Sequence, residues 1–241
     1  MHRMLLIPLA WLCLCVTANA EPPPGAAALQ AAVREVLQQD NAGIGLNVWA
    51  TVVDRDGRVR AIAYTGRHRG DQMPATRTVS AQKAYTANAY SLPGIPISTP
   101  MLYSMSQPGG PVFGMLEGNP MNVSIVYGGN AVDYGTPNDP MVDKIVAGIS
   151  VYAGGLPLYT EAGELIGALG IAGDVVCADH IIAWKVRHAL KLDYLPEGTL
   201  DNIFYDISNG VSASGYGHPE CSPKATAMAR ELPNRYPPRK R

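Results

Sequence analysis

The chain has 241 residues, and its 19 Lys and Arg side chains nearly balance its 20 Asp and Glu side chains. The resulting net charge of −1 argues against the basic surface that nucleic-acid binding requires, so no nucleic-acid partner is expected. The length suits one domain with elaborations.

The first twenty residues have the three parts of a secretory signal peptide. Arg3 supplies the positive charge, residues 4–16 form a short apolar run, and Ala18 and Ala20 form a small-residue cleavage site. The apolar run is shorter than the roughly 20 residues that a membrane span needs, and no later run is long enough. We therefore expect cleavage after Ala20 and a periplasmic or secreted mature chain without a membrane span.

Two of the four cysteines lie in this leader, which leaves Cys177 and Cys221 in the mature chain. Cysteines in an oxidising compartment usually pair, so a disulfide between these two is expected. Metal or haem ligation and free thiols are the alternatives. In one of them, His180 and His218 join the two cysteines in a four-residue zinc site.

The N-terminal half begins with a helix and a hairpin. Apolar periodicity predicts a helix at 26–39, and period-two alternation predicts strands at 44–53 and 58–64 around a turn at 54–57. A second helix at 76–90 carries a ridge of small side chains, which would let it lie close against a sheet.

Regular structure is harder to predict further along the chain. A short helix is expected at 98–106, but residues 107–144 are rich in Gly, Pro and Asn, and only 122–127 has the pattern of a strand. An irregular stretch of this length is usually a functional loop or an insertion. Three short strands in a meander and a helix are predicted next, at 149–153, 156–160, 165–172 and 178–192.

Three pieces of sequence occur in an order that resembles a known family. They are the turn D-R-D-G at 54–57, the helix S-A-Q-K-A-Y-T-A at 80–87, and the meander with G-G-x-P at 154–157 and G-A-x-G-x-x-G at 167–173. Together they resemble the GlcG/HbpS-like haem-binding family over roughly residues 26–192.

The resemblance implies an α/β (α+β) fold with a central antiparallel sheet and helices packed on it, self-association into a homo-oligomer, and binding of haem or a related tetrapyrrole. It divides the mature chain into a family domain at 21–192, with an insertion at about 117–148, and a C-terminal extension at 193–241. The expected disulfide would pin this extension to the domain. Relatives of this kind are carriers, sensors or accessory domains, so no catalytic residue is assigned.

Glycines recur along the predicted strand at 165–172 and just after it. Bare backbone at Gly167, Gly170 and Gly173 would leave a smooth face on which a helix or a flat ligand can close. We therefore expect room for a planar ligand there, with Gly170 and Gly173 in contact with it.

Iron in haem takes His, Met, Cys or Tyr as an axial ligand. His180 is the first candidate for the iron, since it lies in the first turn of a predicted helix whose N–H groups would receive a propionate. His68 is the second, because the arginines on either side of it would pair with propionates. A disulfide would bring His218 near His180, and the family motif adds Lys83, with Arg77 facing the same cleft.

Two other functions remain open from the sequence. One is an oligomeric small-molecule-binding or structural module without haem. The other is a serine acyl-transfer hydrolase, since Ser80 and Lys83 fit the pattern S-x-x-K. The companion motifs S-D-N and K-T-G are absent from the sequence.

Overall fold

The computed structural model describes residues 21–240, so the predicted signal peptide lies outside the described residues. In that part of the chain no helix has the length and apolar character to cross a membrane. In chain order the elements are α1 (Ala26–Leu37), β1 (Trp49–Asp54), β2 (Val59–Tyr64), α2 (Thr76–Tyr90), a 3₁₀ turn (Thr99–Leu102), α3 (Tyr103–Ser106), α4 (Val123–Val126), a 3₁₀ turn (Ala131–Asp133), β3 (Gly155–Tyr159), β4 (Leu165–Ala172), α5 (Val176–Ala189), β5 (Ile207–Ser208), β6 (Val211–Ser212) and α6 (Pro223–Arg235).

A four-stranded antiparallel sheet forms the centre of the fold, in the order β2-β1-β4-β3. It consists of two hairpins, β1–β2 and β3–β4, that join where β1 pairs with β4 from Trp49↔Ala172 to Asp54↔Gly167. Helices cover both faces of the sheet. The predicted α/β fold with a central antiparallel sheet is therefore confirmed.

Helix α2 has the bounds that the sequence predicts and lies on one face of the sheet. Its small side chains at Ala81, Ala84 and Ala87 are buried. The helix approaches β4 so closely that a Cβ built on Gly170 would lie 2.0 Å from the backbone oxygen of Ser80. Glycine is required there because the helix backbone occupies the space of a side chain.

The opposite face of the sheet carries the larger apolar core. Leu29 and Val33 of α1, Ile182 and Val186 of α5, and Leu232 of α6 all have negligible exposure and belong to this one cluster. Burial of a side chain of this kind stabilises the fold by about 1.5–3 kcal/mol. The C-terminal helix α6 is thus part of the main core.

Three predicted strand segments differ from the structure. Residues 44–48 precede β1 as a loop, because the carboxylate of Asp174 accepts the backbone N–H groups of residues 44–46 and replaces strand pairing. Residues 149–153 form no strand; the N–H of Ser150 donates to the hydroxyl of Thr86 instead. Residues 122–127 contain the short helix α4 (Val123–Val126) instead of a strand, since the side chain of Asn122 caps the N–H groups of Ser124 and Ile125.

The insertion at about 117–148 packs against α2 and the outer strand β2. The N–H of Val59 donates to the carbonyl of Lys144 at 2.9 Å, and the N–H of Asp143 donates to the carbonyl of Val59 at 2.8 Å. The apolar side chains Val126, Met141 and Val146 are buried against Trp49 and α2. The insertion therefore covers part of an edge that would otherwise expose unpaired backbone groups.

Candidate functional site

His180, the first candidate for an iron ligand, lies within α5 and has no exposed surface. Its Nε2 lies 3.2 Å from the side-chain oxygen of Asn202, and its Nδ1 has no hydrogen-bond partner within residues 21–240. Burial, with a smaller contribution from the positive charge of Arg187, lowers the pKa of His180 to about 3. His180 is therefore a neutral core histidine, and neither large cavity described below is lined by it.

His218 is also buried, with 2% of its surface exposed. Its Nδ1 lies 2.8 Å from the carbonyl oxygen of Pro219, its Nε2 is unpaired in the described part of the chain, and its ring packs against Tyr103. Burial lowers the pKa of His218 to about 4. The expected proximity of His218 to His180 stays a prediction.

Cys177 and Cys221 form a disulfide with a Cα–Cα distance of 6.1 Å, which confirms the predicted bridge. Sulfur atoms bonded to each other are not thiolates, so the zinc site that the sequence left open is not formed in this oxidised state. No group of three His, Cys, Asp or Glu side chains between residues 21 and 240 is arranged to hold a metal ion.

Lys83 is buried at the centre of the fold and does not reach a cleft. Its Nζ donates to the carboxylate of Asp179 at 2.8 Å and to the carbonyl of Ile171 at 2.9 Å. Burial raises the pKa of Asp179 to about 6, although the ion pair with Lys83 acts in the opposite direction. The pair connects α2, β4 and α5, so Lys83 positions these elements.

The Ser80–Lys83 pair is not arranged as a nucleophile and its base. The hydroxyl of Ser80 is fully buried, lies 2.7 Å from the hydroxyl of Thr51 and donates to the carbonyl of Arg77 at 2.8 Å. The ammonium group of Lys83 forms an ion pair with Asp179, as described above. The geometry does not support the hydrolase alternative, because the serine is inaccessible and the lysine is engaged elsewhere.

The guanidinium of Arg77 is bound by other groups of the protein. Its guanidinium donates two hydrogen bonds to the carboxylate of Asp139 and one to the carbonyl of Val126. It also stacks on the ring of Tyr134 at 3.7 Å. Asp139 further accepts the N–H of Gly135 at 2.7 Å. Arg77 therefore anchors the insertion to α2.

The glycines do not provide room for a planar ligand. A Cβ on Gly170 would meet the backbone of α2, and a Cβ on Gly173 would lie 2.5 Å from the carbonyl oxygen of Asn47. On Gly167 it would lie 1.9 Å from the carbonyl oxygen of Val53. The prediction that Gly170 and Gly173 contact a cofactor is wrong, because neighbouring backbone fills that space.

One cavity of about 680 Å³ does lie beside two predicted site residues, His68 and Arg77. Its walls are built from the N-terminal end of β1, the loop that precedes α2, and the insertion. They contain Trp49, Pro74, Ala75, Tyr127, Ala131 and Tyr134. This volume falls in the range of about 300–1,000 Å³ that is typical of small-molecule sites, and the walls are mainly apolar and aromatic, as such sites usually are.

His68 lies on the lining of this cavity in a loop whose backbone is held firmly. The carboxylate of Asp71 accepts the N–H groups of Arg67 and His68 at 2.8 and 2.9 Å, and these bonds lower the pKa of Asp71. Gln72 donates to the carbonyl of His68 at 2.8 Å. The imidazole itself is exposed and makes no hydrogen bond to any residue between 21 and 240. Arg69 lies beside it on the cavity wall.

Sequence reasoning found His68 but missed the aromatic wall formed by Trp49, Tyr127 and Tyr134. Tyr127 and Tyr134 belong to the stretch without regular periodicity, so no pattern related them to a loop some sixty residues earlier. The available signal was the length of that irregular stretch, which is typical of functional loops.

A second cavity, of about 770 Å³, lies between residues 103–111 and the β5–β6 hairpin of the extension. Tyr103, Met105 and Tyr216 contribute to its lining, together with several Gly, Ser and Pro residues. No histidine, cysteine or charged side chain lines it, so among the usual iron ligands it offers only Met and Tyr, and it offers no cationic partner for a propionate.

Several solved structures are similar to this chain at low sequence identity. A crystal structure of a PduOC:heme complex is 22% identical over 68% of this chain and 89% of the other, with a TM-score of 0.47. The Klebsiella pneumoniae protein ORFY is 20% identical over 71% and 94%, with a TM-score of 0.45. A double mutant of HbpS from Streptomyces reticuli is 17% identical over 76% and 99%, with a TM-score of 0.43.

No protein of curated function matches the chain. The family model described as "Haem degrading protein HbpS-like" matches residues 25–187, which is more than half of the chain. The match includes both hairpins of the sheet, α2 and most of α5. The chain therefore belongs to the HbpS-like family.

Proposed function

We propose that this protein binds haem or a related tetrapyrrole in the cavity beside His68, in a carrier, sensor or accessory role. The observation that carries the proposal is an exposed imidazole on the lining of an aromatic-walled cavity of about 680 Å³. When bound, haem supplies an iron centre that takes imidazole as an axial ligand. Membership of the HbpS-like family supports a haem-related ligand.

The chain's own residues fit such a ligand in three ways. Tyr127 and Tyr134 offer flat apolar surface for a macrocycle, since aromatic rings favour stacked or edge-to-face contacts. Arg67 and Arg69 flank His68 and would form charge-assisted hydrogen bonds with propionates. The backbone bonds to Asp71 fix the loop, so its ordering cost on binding is small.

We propose His68 rather than His180 or His218 as the iron ligand because the imidazole of His68 is accessible to a ligand. Both of those imidazoles are buried in the described conformation, and Lys83 and the glycines have structural contacts instead. Arg77 lines the same cavity as His68, with its guanidinium bound to Asp139. An axial ligand must reach the face of the macrocycle, and only His68 among these three histidines lines a cavity large enough to hold one.

Titration of the purified protein with hemin tests the proposal. We expect a saturable Soret shift at one hemin per chain that is lost or strongly altered in His68→Ala. Ala131→Trp, which fills the cavity from its rim, should abolish binding while far-ultraviolet circular dichroism stays unchanged. His188→Ala is the matched control, since His188 lies away from the cavity against Asp193.

An unchanged Soret titration in both His68→Ala and Ala131→Trp would overturn this site. Titration with metal-free protoporphyrin distinguishes haem binding from the remaining alternative, a small-molecule-binding module without haem. Binding of protoporphyrin without any hemin-specific spectrum would favour a small-molecule-binding module that does not use iron.

We also propose that the mature protein works outside the cytoplasm. The Cys177–Cys221 disulfide supports this, because such bridges persist in oxidising compartments. Cell fractionation with N-terminal sequencing tests it: a mature chain that starts at Glu21 is expected, and a full-length reduced chain in the cytoplasm would contradict it. Self-association stays a prediction. Light scattering tests it directly, because it measures the molar mass of the protein in solution.

A further inference from the structure

The second cavity, of about 770 Å³, is not used by the proposed haem site. Residues 103–111 form one of its walls, and the β5–β6 hairpin with the residues that follow it forms the other. No His, Cys, Asp, Glu, Lys or Arg side chain within residues 21–240 lines it. A charged ligand would therefore lose its hydration there without gaining an ionic partner, which is unfavourable. The lining thus favours an uncharged ligand.

Direct contacts join the two walls of this cavity. The hydroxyl of Ser104 on the first wall donates to the carbonyl of Gly217 at 2.7 Å. The ring of Tyr103 packs against the imidazole of His218, with 5.1 Å between the ring centroids. The disulfide at Cys221 ties the end of the second wall to α5. Because the walls are already joined in the folded chain, a ligand pays little for ordering them.

The second wall is shaped by the carboxylate of Asp206. One of its oxygens accepts the hydroxyl of Ser212 at 2.8 Å, and the other accepts the N–H of Ser214 at 2.7 Å. The hydroxyl oxygen of Ser212 in turn accepts the N–H of Gly217 at 2.9 Å. The hydroxyl oxygen of Ser214 accepts the N–H of Tyr216 at 3.1 Å. These bonds occupy both oxygens of Asp206 and fix the backbone that carries Ser214 and Tyr216 to the lining.

Aromatic rings and neutral polar groups line the cavity together. Tyr103 belongs to the first wall and Tyr216 to the second, and their hydroxyl groups have no hydrogen-bond partner among residues 21–240. The side-chain nitrogen of Gln107 donates to the carbonyl of Tyr103 at 3.0 Å, which leaves the side-chain oxygen as an acceptor. Ser104 has only lone pairs left to offer, because its hydrogen is donated to the other wall. The lining therefore presents uncharged acceptors and hydroxyl groups beside flat apolar rings.

We propose that this cavity binds an uncharged saccharide, as a ligand site separate from the haem site. A pyranose ring has an apolar face of C–H groups that packs on aromatic rings, and a rim of hydroxyl groups that both donate and accept. These hydroxyl groups can donate to Ser104 and Gln107 and pair with the tyrosine hydroxyls, and none of them needs an ionic partner. A proline-rich peptide also packs on aromatic rings, but its prolines have no N–H to donate to those acceptors. The combination of aromatic rings with uncharged acceptors therefore favours a saccharide.

Binding of the full mature protein to an array of neutral and acidic oligosaccharides tests the proposal, followed by calorimetric titration with the best neutral one. We expect one saccharide per chain. The same oligosaccharide with a uronic acid in place of one neutral sugar should bind at least 10-fold more weakly, because the lining offers its carboxylate no cation.

Variants at two exposed lining positions place the saccharide in this cavity. Tyr216→Ala removes one aromatic ring and should weaken binding by roughly 10-fold. Val211→Trp fills the cavity from the hairpin and should abolish binding, while far-ultraviolet circular dichroism stays unchanged. Tyr127→Ala, at the cavity beside His68, is the matched control and should bind the saccharide as the parent does.

Three results would overturn the proposal: no neutral oligosaccharide bound at millimolar concentration, the parent's affinity in both Tyr216→Ala and Val211→Trp, or tighter binding of the acidic form. Binding of an oligoproline peptide in place of any saccharide would identify a peptide site instead and would also overturn it. Tyr216→Ala should keep the parent's hemin titration, so failure here is distinguishable from failure of the haem proposal.

Discussion

The two buried histidines make the stability of the fold dependent on pH. Their folded pKa values of about 3 for His180 and about 4 for His218 lie below an unfolded value of about 6.5. Each therefore contributes stability above pH 6.5 that is lost as the pH falls, because only the unfolded chain takes up a proton. At about 1.4 kcal/mol per pH unit, both together lose about 4 kcal/mol between pH 7 and pH 5.

Asp179 acts in the opposite direction. Its folded pKa of about 6 lies above the unfolded value of 3.8, so the folded state takes up a proton first as the pH falls. Protonation of Asp179 therefore recovers about 1 kcal/mol of stability by pH 5. The expected net loss in the free energy of unfolding from pH 7 to pH 5 is therefore about 3 kcal/mol.

Urea denaturation at pH 7 and pH 5 measures this difference directly. His218→Gln removes one titrating group and should reduce the loss to about 1 kcal/mol, whereas His68→Gln, a change at an exposed imidazole, should leave it near 3 kcal/mol. Equal free energies of unfolding at the two pH values in the parent would refute the reasoning, as would a His218→Gln variant with the parent's pH dependence.

Three further changes test the packing. Gly170→Ala should destabilise the protein by about 3 kcal/mol or more, because its Cβ would overlap the backbone of α2; urea midpoints measure this. Asp139→Asn should cost about 3–5 kcal/mol in the same assay, since it leaves the guanidinium of Arg77 buried without its counter-charge. Ser222→Ala removes the hydroxyl that caps α6 and should lower the free energy of unfolding by about 1 kcal/mol.

Each of these changes has a control. Gly70→Ala should be nearly neutral, because nothing lies within 4 Å of a Cβ at that position. Asp143→Asn removes an exposed ion pair with Arg60 and should cost under about 1 kcal/mol. Ser222→Asp should retain the cap, so a loss as large as that of Ser222→Ala would contradict the capping argument.

The regular part of the fold was predictable because its residues follow a period. Helix α2 begins at Thr76 and ends at Tyr90 as its pattern indicates, and β4 covers 165–172. The disulfide was predictable because only two of the four cysteines lie outside the predicted leader. The local sequence pattern and the expected compartment were sufficient to predict these features.

The errors arise where tertiary contacts override a local pattern. Val123, Ile125 and Val126 favour a strand by type, but the cap from Asn122 closes a helical turn. His180 has the position of a ligand at a helix start, yet its burial depends on α6 and the extension, which no local pattern shows. The glycine pattern predicted open space beside Gly170, whereas the backbone of α2 fills that space.

The pairing of β1 with β4 has a consequence for how the chain reaches its native state. It joins Trp49 to Ala172, so the inner edge of the first hairpin stays open until the second hairpin has been made. Closing so long a loop is slow, so we expect this chain to refold at the low rates of folds dominated by non-local contacts. A fragment that ends before Leu165 would leave β1 with unpaired N–H and C=O groups and should aggregate rather than fold.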